Sequence, residues 1–123
     1  MKQIKITNAY AVTDVLANDP SLTLKGKWAF YSLRKALAPH YDFQVEENKR
    51  LTEKYKGTYD PSTNMINFES PEIRDEFVKE HNDLDNLEVD ITFSKQKLSL
   101  TDVPKITISQ FEALEDFIEF IPE

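Results

Sequence analysis

Residues 87–93 read Leu-Glu-Val-Asp-Ile-Thr-Phe, and this heptapeptide decides the expected fold class. Leu87, Val89, Ile91 and Phe93 alternate with Glu88, Asp90 and Thr92, the period-two pattern of a strand with one buried and one wet face. Helical patterns flank it on both sides, so strand and helix must share one core. Upstream, Ser70-Pro71-Glu72 is a helix start, with serine as N-cap, proline at the first helical position and an acid in the first turn. Ile73, Phe77 and Leu84 then mark the buried face of a helix ending near Asn86.

Downstream, a polar loop containing Leu98, Leu100 and Pro104 leads to Ile106-Thr107-Ile108, which reads as a short strand over 105–108. Ser109 and Glu112 have the spacing of a capping box and open a last helix. Phe111, Leu114, Phe117, Ile118 and Ile121 share one face of it, with Glu112, Glu115, Asp116 and Glu119 largely opposite.

Further out, residues 58–68 (TYDPSTNMINF) place the turn cluster Asp60-Pro61-Ser62-Thr63-Asn64 between two β-prone pieces, a hairpin pattern. From Lys25, Phe30, Leu33, Leu37, Tyr41, Leu51 and Tyr55 recur at helical spacing, with Gln44 and Asn48 completing the stripe. Pro39 falls in the middle, lacks a backbone donor and crowds the preceding turn, which predicts two helical segments meeting near Ala38. Residues 2–7 alternate like a half-buried strand, and Asn8 then caps a helix to about Leu16, ended by Asn18-Asp19-Pro20. The expected architecture is α+β, about four helices packed on a small, mostly antiparallel sheet of residues 2–7, 87–93 and 105–108, with a β-hairpin near 58–68. No repeat or linker interrupts the 123 residues, which read as a single domain over 1–123.

Composition removes several classes of function. Hydrophobic residues make up 40% of the chain and charged residues 30%, enough apolar material for a core and too much for disorder. Without cysteine there is no disulfide framework, thiolate site or cysteine nucleophile. Two histidines are too few for the usual zinc constellations, and no cofactor or metal is expected. Two glycines, Gly26 and Gly57, cannot build a phosphate-cradling loop or a serine elbow. No apolar run reaches the ~18 residues of a membrane span. The expected location is the cytoplasm, or a particle assembled there.

The net charge of −7 has the wrong sign for general binding to nucleic acid. It is also unevenly spread, since residues 1–56 carry ten cations and six acids while residues 57–123 carry five and sixteen. Such halves can stack head-to-tail between subunits or dock an oppositely charged partner, unless the fold interleaves them. His40 lies beside Tyr41 and Asp42, and His81 has Phe77 four residues before it and Asp85 four after. Each reads as an exposed or boundary histidine. Glu72, Glu76 and Glu80 repeat every four residues, the pattern of a solvated helix face. Trp28 points away from the stripe of Phe30, Leu33 and Leu37, and Phe120 sits apart from the Phe111–Ile121 face, which makes both candidate interface anchors.

Taken in order, KQIKITNA, the charged helical middle, NMINFESPE, LEVDITF and ITISQFEALEDFIEFI resemble a small family of uncharacterised proteins encoded by phages and prophages of Gram-positive bacteria. The matching residues are Glu88-Val89-Asp90-Ile91, Ile108-Ser109, Ala113-Leu114 and Ile118-Glu119-Phe120. Trp28, Pro39 and the 58–68 hairpin depart from the family pattern. The resemblance implies a phage or prophage accessory protein and brings no activity or catalytic residues with it. Together with the missing catalytic motifs, it leads to the expectation of a non-enzymatic protein acting in tail or virion assembly. It would work through self-association or a protein partner, without direct contact with nucleic acid or membrane. The alternative is an acidic inhibitor of a host defence or nucleic-acid-binding protein, in which Glu112, Glu115, Asp116, Glu119 and the row Glu72, Glu76, Glu80 imitate phosphates. A small hydrolase would require a pocket joining His40 or His81 to carboxylates.

Overall fold

The computed structural model describes residues 1–121 and is α+β. Its spine is helix α2 (Leu24–Lys54), 31 residues long and therefore about 46 Å from end to end. Helix α1 (Gln3–Leu16) packs along its first half. The hairpin of β1 (Thr58–Asp60) and β2 (Met65–Asn67) and helix α3 (Pro71–Asp85) follow its second half. The chain then returns through β3 (Gln96–Ser99), a 3₁₀ turn (Leu100–Asp102) and the short helix α4 (Ile108–Leu114) to β4 (Ile118–Ile121). No helix among the described residues is long and apolar enough to cross a membrane.

The main core gathers Ile6, Ala9, Leu16, Ala29, Phe30, Leu33, Leu37, Leu98, Val103, Leu114, Phe117 and Ile118. The far half of α2 has its own packing. Buried Leu51 and Leu84 lie there, and Phe77 of α3 contacts Phe68 and Tyr55 at ring-centroid distances of 4.8 and 6.3 Å. The hairpin is antiparallel with Tyr59 opposite Ile66, and the 61–64 loop is built as expected. Asp60 Oδ1 accepts from both Ser62 N and Ser62 Oγ, and Asn64 takes the left-handed conformation at φ 57° that asparagine tolerates. Helix α3 starts at the Ser70 cap and stops at Asn86, as its punctuation predicts.

Three expected strands are absent. Residues 2–7 are helical, because Gln3, Ile6, Ala9, Thr13 and Leu16 form one buried stripe at a 3-3-4-3 spacing. Two polar members hide that stripe, and each donates to a backbone oxygen: Gln3 Nε2 to His40 O at 2.8 Å and Thr13 Oγ1 to Ala9 O at 2.7 Å, while Gln3 Oε1 is buried without a partner. Residues 87–93 keep their in–out alternation only from Val89 to Phe93, with Leu87 exposed, and form only one isolated bridge, Glu88 with Lys2. Val89 N donates to Met1 O, and Gln3 N to Leu87 O, and there the would-be partner coils into α1, so the ladder cannot continue. The ladder partner of β4 is instead β3, from the stretch expected to be a polar loop.

Residues 105–108 are no strand either. Thr107 caps α4, with Gln110 N donating to Thr107 Oγ1 and Thr107 N to Gln110 Oε1, so the capping box lies two residues before the predicted one. The last helix does not reach Ile121. It ends at Leu114, and residues 118–121, with β-branched Ile118 and Ile121 and aromatic Phe120, pair in parallel with β3, Leu98 standing opposite Phe120. Finally, α2 runs unbroken through Pro39. Leu33, Leu37, Gln44 and Leu51 lie on one buried face on both sides of the proline, while Pro39 and Lys35, whose carbonyl loses its donor, are exposed to water.

Candidate interaction surfaces

The two glycines serve packing. A Cβ on Gly26 would stand 2.7 Å from Asp102 O, and one on Gly57 would stand 2.6 Å from Ile66 Cγ2. Gly26 thus lets the 3₁₀ turn lie against the start of α2, and Gly57 lets the hairpin fold onto its end.

With the buried face of α2 turned inward, Leu24, Trp28 and Tyr31 share its outer face at i, i+4, i+7 spacing. Trp28 is 62% exposed and stacks on Tyr31, itself exposed, with centroids 5.8 Å apart. No acid occurs from Pro20 to Tyr41, whereas Lys25, Lys27 and Lys35 stand exposed around the stripe and Arg34 is held by Asp14 at 3.3 Å. The stripe is an apolar patch with a basic rim.

Phe120 is placed differently from Trp28. It is half-buried against Phe111, 5.0 Å between centroids, and packs on the core. Glu112, Glu115, Asp116 and Glu119 are exposed, but they do not form one helical face, because the helix ends at Leu114. Asp116 receives Lys5 at 3.6 Å, and Glu119 projects outward from β4 on the same side as exposed Ile121. Ile108, at the start of α4, is 80% exposed. The glutamate row of α3 is divided. Glu72 and Glu76 are exposed, whereas Glu80 turns to α2, where the Lys54 ammonium contacts it at 2.8 Å and holds its carboxyl below the ordinary range.

The histidines sit apart in role. His40 offers its backbone oxygen to Gln3. His81 stacks on Phe77, and its Nδ1 lies 3.3 Å from Asp85 Oδ2, while Asp85 Oδ1 accepts from Gln44 Nε2 at 3.0 Å. This Gln44–Asp85–His81 chain ties α3 to α2. His81 also lines a cavity of about 250 Å³ with Asn48, Thr52, Ile66, Phe77 and Val78, a lining without carboxylates. Among the described residues no three His, Asp or Glu side chains are grouped so as to hold a metal ion.

A larger groove, about 660 Å³, runs between β2 and the first two turns of α3. Sequence reasoning missed it because its walls come from a hairpin and a helix whose relative placement no local pattern encodes. Comparison of the chain with protein-family models, with curated proteins and with solved structures finds no match.

Proposed function

We propose that this chain works by protein–protein contact rather than catalysis, as a phage or prophage accessory component in tail or virion assembly. The observation that carries the contact reading is the exposed Leu24–Trp28–Tyr31 stripe with its lysine rim. A stacked tryptophan–tyrosine pair in water is a costly surface for a solitary protein and a common anchor of interfaces. The phage setting is supported by the resemblance of residues 88–91 and 108–120.

The rim asks for an acidic, partly apolar counterpart. The chain carries one itself, in Glu112, Glu115 and Glu119 beside exposed Ile108 and Ile121. A basic stripe on one copy meeting the acidic end of the next makes a head-to-tail contact, the kind that builds rings or filaments. The inhibitor reading draws less support, because Glu80 and Asp116 are already engaged by Lys54 and Lys5.

Light scattering coupled to size exclusion, at low and high salt, tests the proposal. A defined oligomer that Trp28→Ala returns to monomer is expected, since losing an aromatic anchor costs about 2 kcal/mol or more. A monomer under all conditions, or an oligomer indifferent to Trp28→Ala, overturns it.

A further inference from the structure

The groove between β2 and α3 is a second surface, independent of the α2 stripe. All three residues of β2 and the adjoining Asn64 and Phe68 line it, and none of β1 does, so it lies along the side of β2 away from its hairpin partner. Among the described residues β2 pairs only with β1. Its outer edge therefore presents backbone N–H and C=O groups without a ladder partner. Arg74, Phe77 and Val78 of α3 line it as well, and Met65, Ile66, Phe68 and Pro71 add apolar surface among its polar residues.

Two polar groups, one in the groove and one in the cavity beside it, bear on what could bind there. Arg74 forms no ion pair among the described residues. Its neighbours one turn away, Ser70, Pro71, Phe77 and Val78, include no carboxylate. The smaller cavity shares Ile66, Phe77 and Val78 with the groove and is also lined by Asn48, whose Oδ1 is buried without a hydrogen-bond partner. A buried acceptor left unpaired is costly and marks a place for a donor.

We propose that this groove binds an extended peptide segment of a partner protein, which adds as a strand to the outer edge of β2. The groove's volume falls within the usual range of ligand sites. Main-chain hydrogen bonds to β2 supply affinity, and side chains at alternate positions meet the groove's apolar surface. A carboxylate on the peptide pairs with Arg74, and a hydroxyl or amide donor in the smaller cavity meets Asn48 Oδ1. Glu69 also lines the groove and repels a second acid, which fixes the direction in which the peptide lies.

The test is selection of the full-length protein against a yeast-displayed library of random linear nonapeptides. The best binder is then synthesised with a fluorescent label and measured by anisotropy. Enriched peptides are expected to alternate apolar residues around a single Asp or Glu. Arg74→Gln should weaken binding about tenfold, as loss of a charge-assisted hydrogen bond implies. The same variant should barely affect a peptide whose acid is replaced by Gln. N-methylation of alternate peptide amides should abolish binding, which separates strand addition from contact through side chains alone. Trp28→Ala should leave binding unchanged. The proposal is overturned if no peptide enriches above a library control, if Arg74→Gln and N-methylation are both silent, or if binding depends on Trp28. Arg74 is exposed, and a thermal melt of the variant confirms that any loss is not unfolding.

Discussion

Thr23 and Asp102 stand 79 residues apart in the chain and are joined by two hydrogen bonds. Thr23 Oγ1 donates to Asp102 Oδ1 at 2.6 Å, and Thr23 N donates to Asp102 O at 3.3 Å. The same hydroxyl accepts from Gly26 N at 3.1 Å, so one side chain caps α2 and binds the 3₁₀ turn to it. Asp102 Oδ2 meanwhile accepts from Ser99 N, closing the capping box of that turn. The start of the longest helix and the 3₁₀ turn that leads to the last sixth of the chain share one polar joint.

Thr23→Ala should therefore lower stability by about 1 kcal/mol, the usual loss of a helix cap. In a chain of this size that lowers the melting temperature by roughly 4 °C. Calorimetry checks it, and an unchanged melting temperature would show that the joint contributes nothing.

Hydrogen bonds from Thr23 and then from Ser99 N hold the Asp102 carboxyl below its ordinary value of 3.8. A depressed carboxylate stabilises the fold fully above the unfolded value and loses that contribution as pH falls through the folded one. Asp102→Asn should thus show a constant deficit in melting temperature from about pH 5 to 7 that shrinks below pH 3.8. A deficit that widened in acid would reverse the assigned sign.

Gly26→Ala sets two effects against each other. Alanine gains about 1 kcal/mol of helix propensity over glycine. Its methyl, however, must stand 2.7 Å from the Asp102 carbonyl, a backbone atom that cannot swing aside. The clash should win, with a net loss of about 1–3 kcal/mol read as a lower urea midpoint at unchanged slope. A gain in stability would mean that the 3₁₀ turn is free to move.

Lys56 occupies the left-handed position after α2 at φ 53°, with Gly57 N bonded to Thr52 O and Lys56 N to Glu53 O in a Schellman arrangement. Lys56→Gly should relieve a side chain from that conformation and raise stability by about 1 kcal/mol. Chemical denaturation measures it, and a loss would show that the strain is absent.

Pro39→Ala restores the donor that the Lys35 carbonyl lacks. It should raise stability by roughly 2 kcal/mol, less whatever the proline contributes by stiffening the unfolded chain. A drop in melting temperature would instead show that the proline ring itself contributes to the stability of α2.

Where a feature of this chain is local, its residues state it. Ser70-Pro71 opens α3 because a hydroxyl and a missing N–H suit the first turn whatever surrounds them. Asp60 to Asn64 form the hairpin loop because they bond to themselves. The outward direction of Trp28 follows from counting along α2 once the inward stripe is known. The α+β class holds through the 58–68 hairpin, which its turn residues announce, and through β3 and β4, which no expected strand matches.

The capping box of α4 was misplaced locally, by two residues, whereas the misread strands were decided at long range. Residues 2–7 have the β-branched alternation of a strand, yet burial against α2 rewards the helical stripe that includes Gln3 and Thr13, and such polar members are acceptable only because His40 O and Ala9 O receive them. Residues 87–93 and 118–121 show the converse. A strand exists only where another backbone is available to pair with it, and α1 withdraws that backbone from Val89 while β3 supplies it to Ile118. By itself the sequence determined the Ser70 cap, the 61–64 turn and the solvent-facing Trp28, because each depends on neighbours within a turn or two. Only the tertiary structure decided strand pairing, the covering of Phe120 and the groove beside β2, because each needs surfaces brought together from distant parts of the chain.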